Sequence, residues 1–193
     1  MNKQKIILLV FAATVFVQIF VPAKMVFHQE TALQTGTKYR FRIRPYDPND
    51  PFKGKYVRLY FAANSIAVED STWQTDDDVY VLLTTDSAGY AEIQSVSATE
   101  PENTDNYVKA KVSYLSGDLI LFIDYPFSKY YMEEEKAPLA EQIYRELKAG
   151  EIAYAVVFVK NGNASLSGVY IDDLPIETLV EERLNEEQFN TKQ

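Results

Sequence analysis

Alternation of apolar and polar residues predicts β-strands in which one side faces a core and the other faces solvent. In the segment 38–44, Tyr39, Phe41 and Ile43 share one side, and four basic residues share the other. The segment 55–62 alternates in the same way, and a glycine directly precedes it. Both segments therefore predict half-buried strands.

Three further pairs of strand-like segments flank short turns, and each pair predicts a β-hairpin. The turn Asn161-Gly162 gives the strongest signal, because both residue types tolerate the positive φ angles of a tight hairpin turn. The predicted hairpins span residues 79–96, 107–124 and 152–172. The first and third look alike, as do 39–61 and 107–125, so the domain contains either two similar halves or hairpins that share a common texture.

Apolar residues at helical spacing predict two helices outside the membrane. Residues 137–149 have Pro138 in the first turn, and Gly150 after them suits a C-cap. Residues 175–187 form the second helix, with their apolar residues on one side. The predicted fold is therefore mainly β (α+β): an antiparallel sheet or sandwich built of hairpins, with one inserted helix and one C-terminal helix.

The N-terminal segment differs, because residues 6–23 contain no charged side chain. About 20 helical residues cross a hydrocarbon core of about 30 Å, so residues 6–27 are long enough for a transmembrane helix. A cleaved signal peptide is the alternative, since Val21-Pro22-Ala23 has the spacing that a signal peptidase recognises. We expect the uncleaved anchor, because signal peptides usually have an apolar core of only about 7–15 residues.

The charges flanking this span predict its orientation. Lys3 and Lys5 precede it, and basic flanks remain in the cytoplasm. The rest of the chain is strongly acidic, which is consistent with export. We therefore expect a single-pass protein of the cytoplasmic (inner) membrane, with a transmembrane anchor in residues 1–28 and an extracytoplasmic β-rich domain in residues 29–193.

Composition excludes several functions. The formal net charge is −9, and nucleic-acid binding is not expected because it needs a basic surface. The chain has no Cys, which excludes disulfides and thiolate metal sites. Its single histidine, His28, cannot form a His-based metal site alone.

Charge is also segregated along the chain. The charged residues in the segment 38–58 are mostly basic. The segment 59–107 contains no Lys or Arg and many acidic residues. These tracts could be neighbouring strands with complementary outer faces, or a bipolar surface that orients a partner. We favour the first interpretation, because charges on strands usually form a solvated face.

Candidate chemistry is confined to two regions. Asp47 and Asp50 lie on a proline-rich loop, where they could bind a cation or cap the loop's own backbone N–H groups. Tyr125, Tyr130 and Tyr131 precede an acidic run, where they could bind a sugar or pack in the core. No Gly-x-Ser-x-Gly motif, Ser-x-x-Lys motif or phosphate-binding glycine loop occurs, so no catalytic residue, metal or cofactor is predicted and the protein is not expected to be an enzyme.

The segment Gly54-Lys-Tyr-Val-Arg-Leu-Tyr-Phe61 resembles the signature of the GDYXXLXY family of bacterial membrane-anchored proteins. Gly54, Tyr56 and Leu59 match the signature, whereas Lys55 replaces its Asp and Phe61 replaces its final Tyr. A second block, residues 124–134, is similar to another motif of the family, and the resemblance covers about residues 34–172. It implies a single-pass anchor and a multi-span membrane protein as partner, and it implies no settled activity.

These observations predict a non-enzymatic accessory or interaction module of the bacterial cell envelope. Its principal surface is expected in residues 45–61 and 125–134. A ligand-binding domain for a glycan or a cation is the alternative, and an uncharacterised hydrolase is the second alternative. The predicted binding residues are Asp47, Asp50, Gly54, Tyr56, Arg58, Tyr125, Tyr130, Tyr131 and Glu134.

Overall fold

The computed structural model describes residues 3–44, 56–147 and 150–191, without the side chains of residues 25–29, 187, 188, 190 and 191. Its helices are α1 (Lys3–Thr35), α2 (Ala137–Arg145) and α3 (Ile176–Thr191). Its strands are β1 (Thr37–Arg42), β2 (Tyr56–Arg58), β3 (Ser65–Ala67), β4 (Asp78–Thr85), β5 (Ala91–Ser97), β6 (Tyr107–Leu115), β7 (Ile120–Asp124), β8 (Lys129–Tyr131), β9 (Ala153–Lys160), β10 (Asn163–Ile171) and β11 (Leu174–Pro175).

The strands form three antiparallel sheets within the described residues. One sheet has the order β3-β7-β6-β4-β5, the second has the order β1-β9-β10-β11, and the third is the pair β2-β8. The three predicted hairpins are present as β4–β5, β6–β7 and β9–β10. The prediction of a mainly antiparallel β domain with an inserted and a C-terminal helix is therefore confirmed.

The core lies between the sheets, and the alternating pattern decides which side chains enter it. In β1, Tyr39 and Phe41 are buried, while Lys38, Arg40 and Arg42, which alternate with them, are exposed. Phe41, Val81 and Val157 come from different strands of both large sheets, and each is fully buried. Burying an apolar side chain of this size stabilises the fold by about 1.5–3 kcal/mol, so this shared core holds the two sheets together.

The β9–β10 turn has the backbone that its sequence predicts. Asn161 and Gly162 have φ angles of 48° and 77°, as a type I′ turn requires. A Cβ atom at Gly162 would lie 3.0 Å from the Tyr107 ring, so the glycine also allows this turn to approach β6 closely. The Gly162 carbonyl accepts a hydrogen bond of 2.9 Å from the Lys109 N–H, which ties the turn to the other sheet.

The segments 39–61 and 107–125 differ in pairing, although their sequences look alike. β6 and β7 pair with each other as a hairpin. The first segment instead meets itself only at a short ladder around the Ile43–Phe61 bridge in the part described. β1 then pairs with β9, and β2 pairs with β8. The two halves therefore differ in pairing, and an internal duplication remains a hypothesis.

Helix α1 is continuous across residue 28, and its end packs on the β domain. Ala32 is 1% exposed, and Lys160 Nζ lies 2.8 Å from Thr35 Oγ1. A Cβ atom at Gly36 would lie 2.4 Å from the Ala32 carbonyl oxygen, so only glycine fits this junction. The part Lys3–Lys24 is long and apolar enough to cross a membrane, a property that membrane anchors and signal sequences share.

The two remaining helices pack against each other and close one side of the core. α2 ends at Arg145, earlier than the predicted residue 149, so the prediction of Gly150 as its C-cap is wrong. Gly150 has a φ of 106° and belongs to the turn that leads into β9. Tyr144 of α2 is buried, and its hydroxyl donates to the Arg44 carbonyl, which ties α2 to the segment after β1.

Candidate interaction surface

The two segments that carry the family resemblance lie side by side in the structure. β2 and β8 pair antiparallel, with Tyr56 opposite Tyr131 and Arg58 opposite Lys129. Just beyond the pair, the Leu59 N–H donates to the Ser128 carbonyl at 2.8 Å. Residues that are distant in the sequence therefore form one surface.

Facing residues of an antiparallel pair, and residues two apart along each strand, project to the same side. The outer side of β2 and β8, with its extension past β2, carries what we term the aromatic–cationic strip. Tyr131 is 66% exposed, more than the half-buried Tyr56 and Tyr60. The strip consists of Tyr56, Arg58, Tyr60, Lys129 and Tyr131.

Contacts within the strip orient its side chains. The Tyr56 and Tyr131 ring centroids are 5.5 Å apart, and Lys129 Nζ lies 5.0 Å from the Tyr56 centroid. Arg58 Cζ lies 5.7 Å from the Tyr60 centroid. Exposed cation–π contacts contribute about 0.5–1 kcal/mol, enough to bias rotamers but little for stability. The strip therefore presents aromatic faces and two cations to solvent.

The inner side of the same segments is part of the core. Val57, Leu59 and Phe61 are only 2%, 3% and 3% exposed. The Phe61 ring packs against Phe41 and Phe127, with centroid distances of 5.3 Å in both cases. The backbone that carries the strip is therefore held in place by the core packing of its inner side.

Tyr125 was predicted to belong to the binding surface, and this assignment is wrong. Its side chain is 3% exposed, and its ring packs edge-on against Phe41 at a centroid distance of 5.5 Å. Its hydroxyl donates to the Ala63 carbonyl at 2.8 Å, and burial raises the pKa of the hydroxyl. Tyr130 is half-buried and faces the core, because it lies opposite Val57 on the inner side of the strand pair.

The other predicted binding residues differ in how they are placed. Glu134 is exposed and lies in the turn before α2, close in sequence to the strip. Asp47, Asp50 and Gly54 lie outside the described residues. Within the ranges that the structure describes, no group of three or more Asp, Glu or His side chains could hold a metal ion.

The basic and acidic tracts meet where β1 approaches the β4–β5 turn. Arg42 Nη2 lies 3.4 Å from Asp86 Oδ2, and the Arg42 guanidinium lies 4.2 Å from the Tyr90 ring centroid. These contacts agree with the interpretation that the two tracts have complementary outer faces. The strip itself lies on a different strand pair.

A separate crevice of about 880 Å³ lies between α1 and the β domain. Phe20 and Lys24 of α1 line one side, and Asp78, Lys109 and Lys111 line the other. Hydrogen bonds from Lys109 and Lys111 lower the pKa of Asp78 to about 2. The Asp78 carboxylate therefore bridges the two cations.

Tyr60 and Lys129 are the strip residues that were not predicted from the sequence. Tyr60 lies two residues after Arg58 and Lys129 lies two residues before Tyr131, and this spacing was the available signal, since residues two apart on a strand share a side. The pairing of Lys129 with Arg58 could not be predicted from the sequence, because β2 and β8 are far apart in the chain.

Comparison with known proteins identifies one family. The family model described as "GDYXXLXY protein" matches residues 18–169, which include both segments of the strip. Searches of the curated proteins and of the solved structures found no match.

Proposed function

The chain belongs to the GDYXXLXY family, and from this premise we propose that it is a membrane-anchored, extracytoplasmic accessory module. It contacts an integral, multi-span membrane protein through the aromatic–cationic strip. The observation that carries the proposal is the β2–β8 pairing, which brings the two segments of the family resemblance onto one exposed surface.

The chemistry of the strip is that of a protein-binding surface. Tyr and Arg are enriched among the residues that contribute most to binding at protein interfaces, because they combine a large apolar area with a polar group. Tyr131 is exposed, whereas the opposite side of the same strand pair is held by Val57 and Tyr130. A partner therefore meets side chains whose backbone is already ordered, which lowers the entropic cost of binding.

The N-terminal helix determines where the β domain is held in the cell. We propose that residues 6–27 remain as a single-pass anchor in the bacterial cytoplasmic membrane, with the N-terminus inside and the β domain in the cell envelope. Beyond the anchor, α1 continues about 12 Å from residue 27 to Thr35 at 1.5 Å per residue, and its end packs on β9 and β10. The domain is thereby held near the bilayer, where a multi-span protein exposes its loops.

We propose that the module is not an enzyme. The strip combines tyrosines and cations, and it offers neither an activated nucleophile nor a paired acid and base. The only histidine, His28, belongs to α1 rather than to the strip.

A capture experiment with matched tyrosine variants tests this proposal. Tagged full-length chain would be purified from gently solubilised native membranes, and co-purifying proteins would be quantified. We expect a near-stoichiometric multi-span protein that persists in salt, and Tyr131→Ala to reduce it at least about tenfold, a loss of about 1.4 kcal/mol. Tyr114→Ala is the control, because Tyr114 is also exposed and stacked, on Phe122 of the five-stranded sheet.

Two results would contradict the proposal in different ways. Absence of any partner across several detergents would remove the accessory function. Equal capture by the Tyr131→Ala variant and the wild type would leave the function but exclude the strip as its surface.

The contact between the half-buried Tyr56 and the exposed Tyr131 also favours a second candidate function, which is binding of an envelope glycan against the tyrosine rings. This alternative predicts a saturable rise in thermal stability with envelope oligosaccharides, absent in the Tyr131→Ala variant. The accessory function predicts no such rise.

A further inference from the structure

The uncharged segment 6–23 of α1 carries one amide side chain, Gln18, and one hydroxyl side chain, Thr14, on an otherwise apolar surface. Thr14, one turn earlier, satisfies its hydroxyl by donating to the Val10 carbonyl at 3.0 Å. Gln18 is exposed, and its amide forms no hydrogen bond within the part of the chain that the structure describes.

Gln18 lies deep in the predicted span. Lys5 and Lys24 flank the uncharged segment, and its midpoint falls between Thr14 and Val15. At 1.5 Å per residue, Gln18 lies about 5 Å from the midpoint and about 9 Å from Lys24. A glutamine side chain is too short to reach the interface from this depth, and an unpaired amide in hydrocarbon costs several kcal/mol.

The Gln18 side chain also points away from most of the α1 surface that faces the β domain. Phe20, Val21 and Lys24 line the crevice beside that domain. Residues of an α-helix are separated by about 100°, so Gln18 is about 160° from Phe20 and about 120° from Lys24, with Val21 nearer at about 60°. A neighbouring transmembrane helix therefore reaches Gln18 without meeting the domain.

We propose that Gln18 binds a transmembrane helix of the multi-span partner through a hydrogen bond inside the bilayer. This inference rests on the proposed function and assigns it an intramembrane contact. The partner helix carries an amide or hydroxyl side chain at the same depth, because these groups match the two donors and one acceptor of glutamine.

Charge favours a different protein over a second copy of this chain. Lys3, Lys5 and Lys24 are the only basic residues before His28, so residues 28–193 retain 16 of the 19 Lys and Arg against all 28 Asp and Glu. Pairing two such chains through Gln18 would bring two strongly acidic domains together beside the membrane. A helix from another protein avoids this repulsion.

Photo-crosslinking from two phenylalanine positions tests the contact. Phe11 lies about 20° from Gln18 around the helix, whereas Phe16 lies about 160° away, so a photoreactive phenylalanine analogue at each position samples opposite sides. In native membranes with the full-length chain, we expect position 11 to crosslink to a membrane-spanning segment of a multi-span protein. We expect position 16 to give at least about fivefold less product.

Variants at Gln18 separate hydrogen bonding from packing. Gln18→Leu keeps the approximate volume and removes the amide, and it should reduce the crosslink from position 11 about fivefold or more, as loss of an interhelical hydrogen bond predicts. Gln18→Asn keeps the amide and should retain most of the product.

Any other outcome of the crosslinking experiment contradicts the inference and shows which part of it is wrong. A product of twice the chain mass means that a second copy occupies this face. An undiminished crosslink in the Gln18→Leu variant, or none in a wild-type chain that still captures its partner, refutes the Gln18 contact alone. A mature chain that begins after Ala23, or one without any partner, refutes the proposed function as well.

Discussion

Segments 56–61 and 125–131, which contain the β2–β8 pair, carry aromatic residues on both their inner and their outer sides. On the inner side, Phe61 and Tyr125, which lie beyond the ends of the pair, pack against Phe41 and are almost fully buried. On the outer side, the half-buried Tyr56 contacts the exposed Tyr131. Both sides come from the same two short segments of the chain.

This difference shows that burial, more than residue type, decides what an aromatic side chain contributes. A buried phenylalanine stabilises the fold through removed apolar area and close packing, and its loss leaves a cavity. An exposed tyrosine contributes little to folding, so its area remains available for a partner. Substitutions on each side should therefore separate stability from binding.

The largest expected effect is that of Phe41→Ala. Phe41 is fully buried and contacts the rings of Phe61, Tyr125 and Phe127, so its truncation should lower the free energy of unfolding by about 3–5 kcal/mol. Denaturant unfolding of the detergent-solubilised full-length chain measures this. Tyr131→Ala is the matched outer change and should cost less than about 0.5 kcal/mol. Comparable losses in the two variants would contradict the division into inner and outer sides.

A smaller effect is expected for Tyr125→Phe, which removes a hydroxyl and keeps the ring. The Tyr125 hydroxyl donates to the Ala63 carbonyl at 2.8 Å, and its loss leaves that acceptor without this donor. We expect a loss of about 1–2 kcal/mol in the same unfolding assay. Tyr131→Phe is the control and should be neutral. An unchanged Tyr125→Phe variant would show that the ring alone determines the role of Tyr125.

The smallest effect is expected for exposed ion pairs, those of Asp78 with Lys109 and Lys111 at 2.9 and 2.7 Å. The pKa of Asp78 is lowered to about 2, whereas an unfolded Asp titrates near about 3.9. The ion pairs therefore stabilise the fold above about pH 4, and this stabilisation is lost as the pH falls towards about 2.

Asp78→Asn should accordingly lower stability slightly at pH 7 and flatten the acid side of the stability curve. Thermal unfolding between pH 2 and pH 7 measures both. Asp118→Asn, at the exposed β6–β7 turn, is the control. A pH profile that Asp78→Asn leaves unchanged would mean that the ion pairs contribute nothing measurable, as for many surface pairs.

Local patterns predicted much of the fold. The alternation in residues 38–44 identified which side of β1 is buried, and Asn161-Gly162 identified its turn, because each signal depends on neighbouring residues alone. The end of α2 was predicted four residues too late, because the chain must leave the helix after the buried Tyr144 to reach β9.

The candidate surface was predictable only in part. Tyr56, Arg58 and Tyr131 were singled out from the two family-like segments, and they meet on one strand pair. Tyr125 was assigned to the surface as part of the second family-like block, whose sequence does not show which of its aromatic side chains face inward. Its burial depends on Phe41 and Phe61, which approach from other strands.

The sequence by itself determined the local elements of this protein: the apolar N-terminal helix, the strand faces and the hairpin turns. Each of these follows from side-chain periodicity or backbone preference over a few residues. Only the tertiary structure decided that β2 pairs with β8, that Lys129 joins the tyrosines, and that Tyr125 is buried. Pairing between distant strands depends on burying both inner sides in one shared core, and that free energy exists only when the whole chain is folded.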